Sequence, residues 1–222
     1  MNRRDFLKTS VLASIAMLFP ENAYAKGLEF YDIELDIDYD GHFKSYSEWI
    51  RRNNDALFVC TGTFFEVFSR HAGIPVGKIV KNGKVLNEGY DISNSASISY
   101  SPLKISEKPD GETQLGGLAW LVKSGKVYIP RRKIAPYDNR KRLAVGVKDN
   151  SLTIGLIYGT LYDIAYYMKD RGCIEAAALD GGGSAFLYAN DRLYTTPERY
   201  LNNVLVGHKK PRKKYQRFEV IV

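Results

Sequence analysis

The sequence predicts an α+β fold: a single domain with a largely antiparallel mixed sheet and few helices. Short apolar runs are separated by tight-turn pairs, Asn82-Gly83, Ser124-Gly125 and Asp149-Asn150, which favour hairpins over long crossovers. A helical period appears in two places, after Ser45 and after Thr160. No internal repeat or low-complexity linker divides the chain, so one layered unit accounts for its length.

The elements follow in order. Residues 1–25 read as a removable leader: Arg3-Arg4-Asp5-Phe6-Leu7-Lys8 precedes an apolar run, Val11 to Phe19, and Ala23-Tyr24-Ala25 supplies a small-x-small cleavage pattern. Paired arginines in that order form a twin-arginine address, which implies a periplasmic or secreted protein. The run falls short of the roughly 20 residues that span a bilayer, and no later stretch is long and apolar enough, so no transmembrane segment is expected after the leader. Residues 26–222 are the expected working domain. Tyr31 to Tyr39 alternates Ile33, Leu35 and Ile37 with acids, the pattern of a strand with one wet face. Ser45 and Glu48 form a capping box for a short helix read through Trp49 and Ile50 towards Leu57, and Leu57 to Cys60 reads as a buried strand.

Hairpins are expected at Asn82-Gly83, between Leu118–Val122 and Lys126–Ile129, and between Leu143–Val147 and Leu152–Tyr158. In Thr160 to Arg171, Leu161, Ile164, Ala165 and Met168 share one helical face, and Gly172 is placed to cap it. Ile174 to Leu179 is a short apolar strand, and Ala185 to Tyr188 resumes an extended pattern.

Composition narrows the partners. With 45% hydrophobic and 26% charged residues the chain is ordinary globular material, and its net charge of +7 favours an anionic partner. The basic tail Lys209 to Lys214 has no aromatic-interleaved motif and no nucleic-acid module beside it, so it reads as a solvated loop and no nucleic-acid partner is expected. Cys60 and Cys173 are too few for a disulfide framework and read as free, buried thiols. His42, His71 and His208 lack ligand spacing; no metal or other cofactor is evident, although the carboxylate of Asp180 leaves a divalent cation open. His71 with Glu66, near the Thr61 loop, offers a proton shuttle, but a loop histidine reads first as a solvated one.

The chemistry is expected around Asp180-Gly181-Gly182-Gly183-Ser184. Three glycines between apolar strands bare the backbone to a ligand and allow several N–H groups to face one anion. Amides aimed at Asp180 would favour its charged form, suiting it as base, nucleophile or cation stabiliser. A second candidate, Thr61-Gly62-Thr63, follows a buried strand with two hydroxyls around one glycine, and Arg142 opens a strand with a guanidinium suited to phosphate.

These segments, with Pro75 to Lys84 and Arg199 to Leu205, resemble the phosphodiester glycosidase family in order along most of the mature chain. The resemblance implies hydrolysis of a sugar-1-phosphodiester, or a phosphorylated glycan, at the anomeric carbon. It implies Asp180, Ser184 and Thr61 as catalytic residues, with Arg142, Gly62, Thr63, Gly181, Gly182 and Gly183 binding phosphate and sugar. Phosphate leaves as a stable anion, which shifts the burden from general-acid help to stabilising a cationic sugar. The family usually has asparagine where this chain has Thr61, threonine where it has Leu143, and a small hydroxyl residue where it has Ala185. Two alternatives use the same residues: a non-catalytic module for anionic glycans, and a phosphodiesterase that breaks the P–O bond.

Overall fold

The computed structural model describes residues 25–66, 73–90, 94–129 and 137–210. The leader apart from Ala25, His71 and the tail from Pro211 onward lie outside the described residues.

Two strands, β1 (Lys26–Phe30) and β2 (Ile33–Lys44), lead into helix α1 (Tyr46–Arg52), and β3 (Phe58–Thr61) follows. Next come β4 (Ile79–Lys81), β5 (Lys84–Asn87), β6 (Ala96–Tyr100), β7 (Lys104–Ser106), β8 (Thr113–Lys123) and β9 (Lys126–Val127). The long hairpin β10 (Arg140–Lys148) and β11 (Ser151–Gly159) precedes helix α2 (Leu161–Asp170) and β12 (Glu175–Ala178). A 3-10 turn (Gly182–Ser184) then leads to β13 (Leu187–Ala189), β14 (Arg192–Thr195) and β15 (Leu201–Lys209).

The strands form two sheets rather than one, and the named strands pair antiparallel throughout. The larger runs β1-β11-β10-β12-β8-β4-β5, with β6, β7 and β9 attached; the smaller runs β14-β13-β3-β15-β2. Alternation explains the layers. Phe58, Cys60 and Leu205 face Leu143, Val145 and Ala177 in a core shared by both sheets, whereas Val59, Val204 and Val206 point outward onto Trp49 of α1. On the far side of the larger sheet, Ala144, Ala176 and Ala178 receive Leu161, Ile164, Ala165 and Met168 of α2. The molecule is therefore a sandwich with one helix on each outer face, and each fully buried large apolar side chain contributes about 1.5–3 kcal/mol.

Local chemistry sets the boundaries. Both helices carry complete capping boxes, Ser45 with Glu48 and Thr160 with Asp163. Helix α1 stops at Arg52 with Asn53 as its cap, so Leu57 belongs to the approach to β3 and not to the helix. There Asn53 closes the helix end, its side chain donating to Trp49 O at 2.9 Å and to Asp38 Oδ2 at 3.1 Å. Asn82 and Gly83 both take positive φ, 50° and 74°, the conformation that a two-residue hairpin turn requires.

Cys60 lies between the sheets and Cys173 under α2, both free and buried, and burial pushes both thiols up from their ordinary range. A thiol reagent such as Ellman's should therefore find neither cysteine in the native protein at pH 8 and both after denaturation. A thiol titrated in the native protein would contradict this packing.

Candidate functional site

The candidate site lies where the chain leaves one sheet for the other. Strand β12 ends in the larger sheet at Ala178, and β13 begins in the smaller at Leu187. Leu179 N–H still donates to Leu143 O at 2.9 Å, but Asp180 N–H donates to Gly62 O, just beyond β3, at 3.1 Å. The crossing is thus held by both sheets. Ser184 N–H donates to Gly181 O and Ala185 N–H to Gly182 O, each at 3.1 Å, closing the 3-10 turn. Gly182 has φ +58°, which favours glycine. Thr61 fastens the far side: its hydroxyl donates to Ser184 O at 2.5 Å and accepts from Phe186 N–H at 2.9 Å. Both its hydrogen and a lone pair are engaged inside the fold, on a residue 1% exposed.

Asp180 is half-buried as a residue, while surrounding atoms crowd its carboxylate. That burial pushes its pKa up to about 6, against a downward pull from the Ser184 hydroxyl, the Gly181 N–H and the charge of Arg199. The expectation that loop amides would hold Asp180 ionised is met by one of them: Gly181 N–H donates to Asp180 Oδ1 at 2.9 Å. Desolvation outweighs it. The carboxyl still ionises below neutrality, so at pH 7 most molecules carry the charge.

The structure brings the backbone of Arg142 beside this loop, since a Cβ on Gly181 would lie 3.7 Å from Arg142 Cα. Its side chain goes elsewhere. Arg142 shares the face of Ala144, towards α2, while Leu143 takes the interior. Its Nε donates to Gly159 O at 3.2 Å and its Nη2 to Asp138 O at 2.8 Å. Burial, with the charge of Arg140, lowers its pKa to about 10, while Asp138 pulls it up.

Residues outside the expected set complete the surroundings. Asn203, 1% exposed on β15, has Oδ1 accepting from Thr63 N–H at 2.8 Å and Nδ2 donating to Thr63 O at 3.2 Å and Asn202 Oδ1 at 2.6 Å. A Cβ on Gly62 would overlap Asn203 Oδ1, so the glycine admits this amide. The Thr63 hydroxyl is fully buried, close to the backbone of Gly117. Two adjacent asparagines inside the apolar run Leu201 to Val206 were the signal available in the sequence. On the other side of the turn, Glu198 N–H donates to Gly183 O at 2.7 Å, and a Cβ on Gly183 would lie 2.8 Å from Arg199 Nη2 and 3.3 Å from Glu198 Oε2. Among the described residues no group of three or more His, Cys, Asp or Glu side chains is placed to hold a metal ion.

Comparison with known proteins bears on this geometry. The model of the family described as phosphodiester glycosidase matches residues 54–207, which include Thr61, Arg142, the Asp180–Ser184 turn and Asn203. No curated protein sequence matches the chain significantly. Among solved structures, the chain resembles the zebrafish N-acetylglucosamine-1-phosphodiester alpha-N-acetylglucosaminidase catalytic domain auto-inhibited by its pro-peptide. The TM-score there is 0.66 at 17% identity, over 85% of this chain and 84% of that one. A Synechocystis protein matches with a TM-score of 0.61 at 13% identity, over 82% of this chain and 58% of that one. At such identities the likeness is one of fold, while the family match spans well over half the sequence: the chain belongs to the phosphodiester glycosidase family.

Proposed function

We propose that this protein is an exported hydrolase that cleaves the glycosidic C–O bond of a sugar-1-phosphodiester in a cell-envelope or extracellular glycan. One observation carries the reading: the Asp180 carboxylate is fixed at the junction of the two sheets, at the head of a three-glycine turn. As the bond between the anomeric carbon and the phosphate oxygen breaks, its electron pair leaves with the phosphate. Ionised Asp180 stabilises the positive charge that develops on the sugar, a water oxygen bonds to the anomeric carbon, and the proton this water loses passes to the departing phosphomonoester. Ser184, hydrogen-bonded to the carboxylate, orients it; Thr61 holds the Ser184 carbonyl and, through Phe186, the exit of the turn. The twin-arginine pattern of residues 3–8 supports export through the cell envelope.

The test is product analysis in 18O-labelled water, with the purified protein and a panel of sugar-1-phosphodiesters. C–O cleavage yields free reducing sugar carrying the label and an unlabelled phosphomonoester. Label in the phosphate, with sugar phosphate as a product, would replace this reading with P–O cleavage. Saturable binding with no product would replace it with a glycan-binding module, the reading that the internal commitment of the Thr61 hydroxyl favours.

A further inference from the structure

We infer that Arg199, and not Arg142, is the guanidinium that grips the substrate phosphate; this rests on the phosphodiester reading of the same loop.

Among the described residues four cations surround the glycine turn, and three of them are already partnered. Arg142 is buried, with its Nε and Nη2 spent on the carbonyls of Gly159 and Asp138. Arg140 passes close to the loop, its Cδ 3.6 Å from where a Gly182 Cβ would stand, but its Nη2 donates to Asp138 Oδ2 at 2.5 Å. Lys141 Nζ lies 3.7 Å from Glu198 Oε1. Arg199 is exposed and makes no ion pair among the described residues. Its guanidinium lies against the bare face of Gly183, and its charge reaches the carboxyl of Asp180.

The contact with Gly183 sets Arg199 on the turn, within electrostatic reach of Asp180 on one side and open to solvent on the other. A phosphodiester whose sugar carbon faces Asp180 has its anionic oxygens within the field of Arg199, an exposed cation that forms no ion pair among the described residues. The planar fork of arginine suits two of those oxygens at once. Gly183 belongs to the same device. A side chain at that position would displace the far end of Arg199 and the carboxylate of Glu198, both flexible, so the change is tolerated by the fold yet moves the guanidinium. Arg142 becomes a strut: it ties the end of β10 to the carbonyl that precedes the Thr160 cap of α2.

The probe is inorganic phosphate, with binding followed by calorimetry and 31P NMR in the full protein. Arg199→Gln should weaken phosphate binding about ten- to hundred-fold, the loss expected when a charge-assisted hydrogen bond disappears. Arg199→Lys should fall between, and Gly183→Ala should weaken binding with Arg199 still present. Removing the Arg199 charge should also raise the pKa of Asp180, read by 13C NMR of its carboxyl; Arg140, Lys141, Arg142 and Glu198 stay in place as the other charged groups around the turn. Arg142→Lys should lower the melting temperature while the folded protein keeps its phosphate affinity.

Phosphate affinity unchanged in Arg199→Gln overturns the inference, as does wild-type protein that shows no saturable phosphate binding up to about 50 mM, an affinity of less than about 2 kcal/mol. The two levels separate cleanly. Phosphate binding lost with Arg199 in a protein that releases no sugar upholds the inference and removes the glycosidase reading. Sugar release with phosphate affinity indifferent to Arg199 does the reverse.

Discussion

Asp180→Asn should abolish sugar release, by at least about a thousand-fold in kcat, while making the folded protein more stable at neutral pH. Both effects come from the same burial. The side-chain oxygen of asparagine still accepts from Gly181 N–H, so the turn keeps its shape and loses the charge that the proposed reaction sets beside the sugar. In the wild type that charge is costly. The folded pKa is raised from 3.8 to about 6, so the folded state holds its proton more tightly than the unfolded chain does. Below pH 3.8 the group is neutral in both states and costs nothing; as pH rises through about 6 the folded state ionises and the full penalty applies. Discounted for the open side of the residue, that penalty is about 2 kcal/mol.

Activity should move the opposite way over the same window. If ionised Asp180 stabilises the cationic sugar, kcat/KM rises with pH to a plateau above about 6, the pKa of the free enzyme. Stability falls as activity rises. Chemical denaturation of wild type and Asp180→Asn at pH 4 and pH 7.5 measures the first, and a pH–rate profile measures the second. A rate that falls through pH 6 would instead make Asp180 a proton donor. Equal turnover in Asp180→Asn would remove it from the reaction.

What the sequence disclosed and what it withheld divide along physical lines. Period-two and period-3.6 patterns depend on neighbours in the chain, so the alternation of Ile33, Leu35 and Ile37, the buried face Leu161, Ile164, Ala165 and Met168, and the Asn82-Gly83 hairpin were all legible. Asp180-Gly181-Gly182-Gly183-Ser184 stood out because such a run of glycines fits neither a strand nor a helix. The sorting of strands into two sheets depends on which apolar faces meet, and every candidate face here is similarly apolar. Arg142 shows the limit at one residue. Its type and strand were readable, but its direction follows from Leu143 occupying the interior, which sends the guanidinium to the α2 side. Arg199 and Glu198 reach Gly183 from a distant segment, through a contact that no spacing encodes.

Asn203 and Gly62 supply the other large effect, which is a matter of space. Gly62→Ala should destabilise the protein by about 2–4 kcal/mol, because the new methyl overlaps Asn203 Oδ1 in a region with no room to relax. Asn203→Ala alone should cost about 2 kcal/mol, since it leaves the Thr63 N–H and the Asn202 carboxamide without their buried partner. The double variant should cost less than the sum. Without the amide, the nearest of the remaining neighbours around a Cβ at residue 62 is Asn203 O at 3.4 Å, an ordinary contact, so the overlap that makes Gly62→Ala costly is gone. A coupling of about 1–2 kcal/mol in a double-mutant cycle follows, read by urea denaturation. Additive costs would show that Gly62 is needed for some other reason than to admit Asn203. Because Gly62 O accepts the Asp180 N–H, loosening this contact should also reach the Asp180 carboxylate. Asn203→Ala is therefore expected to lower kcat more than it raises KM, whereas a purely structural loss would reduce the amount of folded protein and leave both constants unchanged per active molecule.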